Sequence, residues 1–184
     1  MIRLILALCL IAAPAAAAPE AWRLDAARST VGFTYDFAQG DNRGTMPVKS
    51  ADMRIDLRDL GASRVDVTLD ASGARAGFFL ATQAMRGPLG LDTAQHPEIR
   101  FRSTRITGTL AAARIEGLLT VRGISRPVTL RAGLYRTPET DPARLDRLTV
   151  LLTGEIDRHA FGASGFPDLV GPTIALRILA RMER

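Results

Sequence analysis

Arg158 and the two histidines, His96 and His159, are the side chains of this sequence best suited to act on a bound molecule. A guanidinium can hydrogen-bond a ligand oxygen, a carboxylate or a phosphate, and histidine titrates near neutral pH. Arg158 can equally pin a strand end or a loop through backbone carbonyls. We favour this second, structural interpretation of Arg158.

No catalytic constellation accompanies these residues. The histidines lack the H-x-H and H-E-x-x-H spacings of metal sites, and neither G-x-G-x-x-G nor a P-loop occurs. The stretch 162–166 falls short of G-x-S-x-G because Phe166 replaces the last glycine. We therefore expect no cofactor, no metal and no catalysis. The alternative is an enzyme that acts on an apolar substrate through His96, His159 or Arg158.

The first residues predict the compartment. A charged start at Arg3 precedes an apolar run over 4–13 and a stretch of small residues that ends at Ala18. This order is typical of a secretory signal peptide, and the run is shorter than the about 20 residues that span a bilayer. We expect cleavage after Ala17, a periplasmic location and one mature domain over 18–184. That domain has no cysteine, so burial and backbone hydrogen bonds must stabilise it.

The charge balance limits the partners. The chain carries 24 basic and 19 acidic residues, a formal net charge of +5. Because the basic residues are scattered and aromatic residues are few, we expect no nucleic-acid binding. The positive charge allows a peripheral contact with an anionic membrane surface.

The elements that would position these residues are strands. Apolar and polar residues alternate with a period of two, as in half-buried antiparallel strands, over 65–70, 99–102, 115–122, 128–134, 148–156 and 174–181. Many strands with short turns predict a barrel or a sandwich; the turn signals lie at 40–42, 61–63, 107–108, 123–125 and 171–172. The segment from Phe78 to Leu91 predicts a short helix or lid broken at Gly87-Pro88, and 137–144 predicts a loop.

Several motifs follow one another in the order of a known family. They are Trp22-Arg23-Leu24-Asp25, Ser29-Thr30-Val31-Gly32-Phe33, Gly44, His96-Pro97-Glu98-Ile99-Arg100-Phe101, the stretch 117–128 (GLLTVRGISRPV), the stretch 156–162 (IDRHAFG) and Val170-Gly171. The chain resembles the YceI-like family of secreted, lipocalin-like barrels. The resemblance implies a hydrophobic pore, which in some members holds a polyisoprenoid such as a quinone-type lipid. Gly87-Pro88 and Gly165-Phe166-Pro167 depart from the family pattern and would border the mouth of the pore, so they leave the ligand open.

The resemblance implies an all-β fold: an eight-stranded antiparallel lipocalin-like barrel with a short helical segment. We expect a periplasmic binding or carrier protein that holds a long-chain apolar lipid, of isoprenoid or quinone type, in its interior. The predicted lining residues are Phe33, Val67, Leu69, Ile99, Phe101, Leu119, Leu130, Leu152, Arg158, Phe161 and Leu176.

Two alternatives remain open at this point. Periodicity reports burial and not what fills the space, so the same residues fit an ordinary packed core; the choice of a cavity comes from the resemblance alone. The protein could also be an interaction module that docks a membrane partner through a strand edge or its basic surface.

Trp22 is expected to plug one barrel end. The sequence does not determine the oligomeric state or whether 78–91 acts as a gate.

Overall fold

The computed structural model describes residues 18–38, 40–135 and 145–184, so the predicted signal peptide and the predicted loop at 137–144 lie outside the described residues. In this part of the chain, ten strands, one α-helix and two 3-10 helices form. The strands are β1 (Glu20–Leu24), β2 (Thr30–Phe37), β3 (Gly40–Met46), β4 (Val48–Ile55), β5 (Arg64–Asp70), β6 (Glu98–Thr109), β7 (Ala112–Val121), β8 (Ile124–Leu134), β9 (Arg147–Asp157) and β10 (Val170–Glu183). The helix α1 spans Phe79–Arg86, and the 3-10 helices span Leu60–Ala62 and Arg158–Phe161.

The ten strands of the described residues close into an eight-stranded antiparallel barrel. Both β1 and β2 pair with β10, one after the other, and so share one position in the barrel. Likewise, β3 pairs with β2 and β4 pairs with β1, on either side of Pro47. The pairing of β1 with β10 completes the ring. The predicted eight-stranded barrel with a short helix is therefore confirmed.

Several chain reversals lie a few residues from the predicted turns. Residues 40–42 belong to β3, and the chain turns just before them, where Ala38 adopts a φ of 52°. Residues 107–108 belong to β6, where Gly108 pairs with Ala113 and adopts a φ of 96°. Glycine tolerates this left-handed conformation without strain, so here a glycine lies within a strand and not in a turn.

The up-and-down topology sorts the connections onto two ends of the barrel. The turn after β2 and the β5–β6, β7–β8 and β9–β10 connections lie at one end, which we call the α1 end. The β4–β5 and β6–β7 connections and the start of β1 lie at the opposite end. Residues at one end are therefore separated from those at the other end by the length of the barrel strands.

Trp22 lies buried at the end opposite to α1. It packs with Met53 and Leu148 in one apolar cluster, and the guanidinium carbon of Arg184 lies 5.9 Å from the centre of its ring. Trp22 does not line the interior cavity described below. Its position therefore agrees with the predicted structural plug.

The helix α1 covers part of the other end. Thr82 ties it down, because its hydroxyl donates to the carbonyl of Phe78 (2.9 Å) and accepts from the backbone N–H of Ala76 (3.0 Å). Arg86 donates from Nε to the carbonyl of Ala74 (2.9 Å). Within the described residues, no helix combines the length and the apolar character that crossing a membrane would require.

Candidate functional site

The barrel encloses a cavity of about 570 Å³. This volume falls within the about 300–1,000 Å³ that is typical of small-molecule sites. All ten strands contribute to its wall, and the wall is almost entirely apolar. The arrangement can therefore hold an apolar molecule inside the barrel.

The structure places every predicted lining residue on the wall of this cavity. These residues are Phe33, Val67, Leu69, Ile99, Phe101, Leu119, Leu130, Leu152, Arg158, Phe161 and Leu176. Val67, Leu69 and Leu152 face the interior yet remain only half-buried, because no neighbouring side chain fills the space in front of them. The interior is thus hollow and not the packed core that periodicity alone also allowed. That these residues contact a ligand stays a prediction.

Further lining residues come from segments whose role the sequence reasoning left undetermined. The helix α1 contributes Leu80, Ala84 and Met85, and the β9–β10 connection contributes Phe166 and Leu169. Leu80 and Ala84 are four residues apart and so share one helix face. This spacing was the available signal that α1 turns an apolar face to the cavity.

The few polar side chains on the cavity wall are engaged with the backbone. Among the described residues they are Ser29, Tyr35, Ser63 and Arg158. The hydroxyl oxygens of Ser29 and Ser63 accept hydrogen bonds from the backbone N–H groups of Arg181 and Asp56, both at 3.0 Å. Because these groups already have partners, the wall has little to offer a polar ligand atom.

Tyr35 is buried, and its hydroxyl donates to the carbonyl of Ala76 at 2.7 Å. This hydrogen bond joins β2 to the chain just before α1. Burial raises the pKa of Tyr35 above its usual value of 10.0 because the ionised phenolate would be poorly solvated.

Replacing Tyr35 by Phe is expected to lower the free energy of unfolding by about 1–2 kcal/mol at neutral pH. The raised pKa means that the folded protein holds the phenolic proton more tightly than the unfolded chain does. The contribution is therefore fully present below about pH 10 and is lost as pH rises through the folded pKa. Urea unfolding across this pH range should show the gap between parent and Tyr35→Phe shrinking. A gap that stays constant would contradict this assignment.

Arg158 begins the 3-10 helix that follows β9. The carboxylate of Asp157 caps this helix by accepting from the backbone N–H of His159 at 2.8 Å. Gly162, at a φ of 73°, ends the helix in the left-handed conformation that favours glycine. Burial lowers the pKa of Arg158, and the neighbouring Asp157 charge partly offsets that effect. The local sequence thus turns Arg158 toward the barrel end.

The guanidinium of Arg158 holds the β9–β10 connection in place. Nε donates to Gly171 (2.9 Å), Nη2 to Val170 (2.8 Å), and Nη1 to both Ala163 and Gly165 (2.8 Å for the latter), all at carbonyl oxygens. Four of the five N–H groups of the guanidinium are therefore bonded to backbone. This geometry supports the structural interpretation of Arg158, in which it holds a loop through backbone carbonyls. The Arg158 side chain also lines the cavity.

Neither histidine lies on the cavity wall. The backbone N–H of His96 donates to the carbonyl of Asp92 at 2.8 Å in the β5–β6 connection, and His159 is exposed on its 3-10 helix. Over the described residues, no group of three or more His, Cys, Asp or Glu side chains could hold a metal ion. The structure therefore does not bring His96, His159 and Arg158 together around the cavity.

The cavity opens at the α1 end. Five lining residues are exposed, and each lies in the β5–β6 or the β9–β10 connection: Phe78, Leu80, Leu89, Phe166 and Leu169. The lining residues at the opposite end are buried or half-buried. Within the part of the chain that the structure describes, the exposed part of the cavity wall therefore lies at the α1 end, and we call this opening the mouth.

Comparison with known proteins agrees with this architecture. The sequence pattern of one protein family, described as the YceI-like domain, matches residues 22–182. None of the curated proteins compared with the chain matches it. Solved structures are similar in fold at low identity.

Three of these structures are informative about the fold. BcnA of Burkholderia cenocepacia is 17% identical, with a TM-score of 0.74 over 88% of this chain and 100% of its own. A YceI protein of Campylobacter jejuni is 18% identical, with a TM-score of 0.62 over 77% of this chain and 84% of its own. A polyisoprenoid-binding domain from Saccharophagus degradans, implicated in plant cell wall breakdown, is 14% identical, with a TM-score of 0.61 over 88% of this chain and 97% of its own.

Proposed function

Because this chain belongs to the YceI-like domain family, we propose that it is a periplasmic carrier that holds a long-chain isoprenoid-type lipid in its barrel and performs no catalysis. One observation carries the proposal: the barrel is hollow, and its wall is almost entirely apolar. The polar side chains on that wall already bond to backbone groups. The preferred ligand is therefore a hydrocarbon chain without polar groups along its length.

Burial of such a chain is energetically sufficient for binding. Apolar surface gains about 25 cal/mol per Å² when it leaves water, so several hundred Å² supply a gross gain on the order of 10 kcal/mol. Association and ordering of a flexible chain reduce this gain. No charged or catalytic group of the protein is needed for affinity.

The mouth determines where a polar head group would lie. Among the described residues, a quinone ring, hydroxyl or phosphate finds no free side-chain partner deep in the lumen, where burial of an unpaired polar group is costly. It would therefore remain at the mouth, in contact with water, while the tail extends inward past Phe33 and Leu176. The protein would then select its ligand by tail and tolerate different head groups.

The similarity to a polyisoprenoid-binding domain supports this ligand class. The proposed location rests on the signal-peptide pattern over 1–17. A long isoprenoid is nearly insoluble in the aqueous periplasm, because its apolar surface is unfavourable in water. A closed apolar barrel is a suitable means of holding such a lipid there.

Native mass spectrometry of the full-length protein, exported and purified from periplasm without detergent, tests this proposal. We expect a stoichiometric adduct that organic extraction identifies as a long-chain isoprenoid or quinone-type lipid. The matched control is the chain that begins at Ala18, expressed in the cytoplasm and then incubated with a polyprenol, which should acquire the same adduct class. A protein that remains empty in both preparations would refute the carrier function.

A further inference from the structure

An exposed apolar rim lies on two of the connections that border the mouth. Its members, which we call the rim, are Phe78, Phe79, Leu80, Leu89, Phe166 and Leu169. Five of them also line the cavity, so the apolar surface continues from the lumen to the outside without interruption. Phe79 differs: it is 72% exposed and does not line the cavity.

The rim is held in place by contacts within the described residues. The ring of Phe37 packs edge-on against that of Phe78, with 5.5 Å between the ring centres. The backbone N–H of Gly165 donates to the carbonyl of Leu89 at 2.9 Å, which joins the two connections that form the rim. The exposed side chains therefore project from an anchored backbone.

The remaining exposed large apolar residues of the described chain do not form such a group. Leu118 lies on the outer face of β7, and Tyr135 follows β8 at the opposite end of the barrel. Apolar side chains gathered around an opening mark an interaction site, whereas single ones are ordinary. The rim thus requires a covering surface.

The charge on the α1 side of the rim favours a lipid surface as that covering. From residue 71 to residue 91, the chain carries Arg75 and Arg86, and the flanking carboxylates, Asp70 and Asp92, are half-buried and buried. The other side of the mouth is acidic, with Asp168 near Asp36. Arginine beside aromatic and leucine side chains is the composition of segments that lie in the interface of anionic membranes.

We propose that the rim docks on the surface of a lipid bilayer, so that the mouth faces the membrane and lipid passes between bilayer and lumen without crossing water. The passage of lipid rests on the proposed carrier function, whereas the docking does not. Phe79 inserts among the head groups and acyl chains, and the exposed Arg75 approaches lipid phosphates. Docking by this end also places a ligand's head group at the membrane surface.

A vesicle flotation assay with the exported protein, from which the predicted signal peptide has been removed, tests the docking. The vesicles are phosphatidylcholine alone, or phosphatidylcholine and phosphatidylglycerol in equal parts. We expect binding to both, stronger to the anionic vesicles, and a loss of about tenfold or more for Phe79→Asp, because an inserted aromatic side chain is replaced by a charge. The matched control, Tyr135→Asp, makes the same kind of change at the opposite end and should bind as the parent does.

Binding of geranylgeraniol, followed by native mass spectrometry, separates this inference from the proposed function. Phe79→Asp should load geranylgeraniol as the parent does, because Phe79 lies outside the cavity wall. A parent that takes up geranylgeraniol but does not float, or Phe79→Asp that floats as the parent does, overturns the docking. A parent that floats through Phe79 but takes up no isoprenoid overturns the carrier function and leaves the docking standing.

Discussion

Replacing Arg158 by leucine is expected to lower the free energy of unfolding by about 3–5 kcal/mol, one of the largest effects of a single substitution in this protein. The guanidinium donates to four carbonyl oxygens of the β9–β10 connection. Leucine keeps much of the apolar stem but leaves all four acceptors without this partner. Each hydrogen bond from a charged donor contributes about 1.5–3 kcal/mol, and water that enters at the mouth recovers part of that loss.

Arg158→Lys separates the shape of the guanidinium from its charge. An ammonium is a compact point charge and cannot reach four divergent carbonyls as the planar fork does. We therefore expect Lys to restore less than half of the lost stability in urea unfolding. The connection from 163 to 171 should also exchange its amide hydrogens faster in both variants, since it loses its central anchor.

Ligand binding distinguishes this structural role from direct ligand contact by Arg158. If the role of Arg158 is structural, Arg158→Lys should lower the binding affinity for polyprenol and for polyprenyl phosphate to the same extent, because the mouth is loosened for both. If instead the affinity for the phosphate alone falls while stability stays at the parent level, Arg158 contacts the head group. Isothermal titration with both lipids in matched buffers gives this comparison.

The alternating strands were the most predictable part of the fold. Each alternating run from 65 onward falls on one of the strands β5 to β10, because side chains of a barrel strand point alternately into the lumen and toward solvent. The strands β1 to β4 were harder to predict. Gly44 shows why: the Phe33 ring packs against it and leaves no room for a side chain. This packing breaks the apolar alternation in β3.

The site could be predicted only in part. The alternation of apolar and polar residues predicted that Val67 and Leu152 face the interior, but this pattern is the same for a filled and for a hollow barrel. The cavity was therefore predicted from the family resemblance alone, and the structure then established it. The carbonyl partners of Arg158 lie 5 to 13 residues away in an irregular connection. No sequence period reports contacts of this kind. The rim likewise is formed by two connections that are far apart in the sequence and lie side by side only in the folded protein.

Tryptophan at both Val67 and Leu152 is expected to lower the affinity for a long isoprenoid at least hundredfold. Val67 lies on β5 and Leu152 on β9, which face each other across the ring of strands. Two indole rings, each with about 200 Å² or more of surface, would occupy the space of the ligand chain. Loss of about 200 Å² of ligand burial alone costs about 5 kcal/mol at 25 cal/mol per Å².

The stability of the ligand-free variant decides between a cavity and a core. Overpacking a filled core costs about 1–3 kcal/mol for each substitution, whereas side chains that enter an empty apolar lumen gain contacts. We therefore expect Val67→Trp/Leu152→Trp to unfold at the parent's urea concentration or above it, while lipid uptake is lost. The matched control, Val67→Ala/Leu152→Ala, enlarges the lumen and should keep lipid uptake at lower stability. A tryptophan variant that is strongly destabilised and still binds lipid would mean that these positions pack a core and that the ligand lies elsewhere.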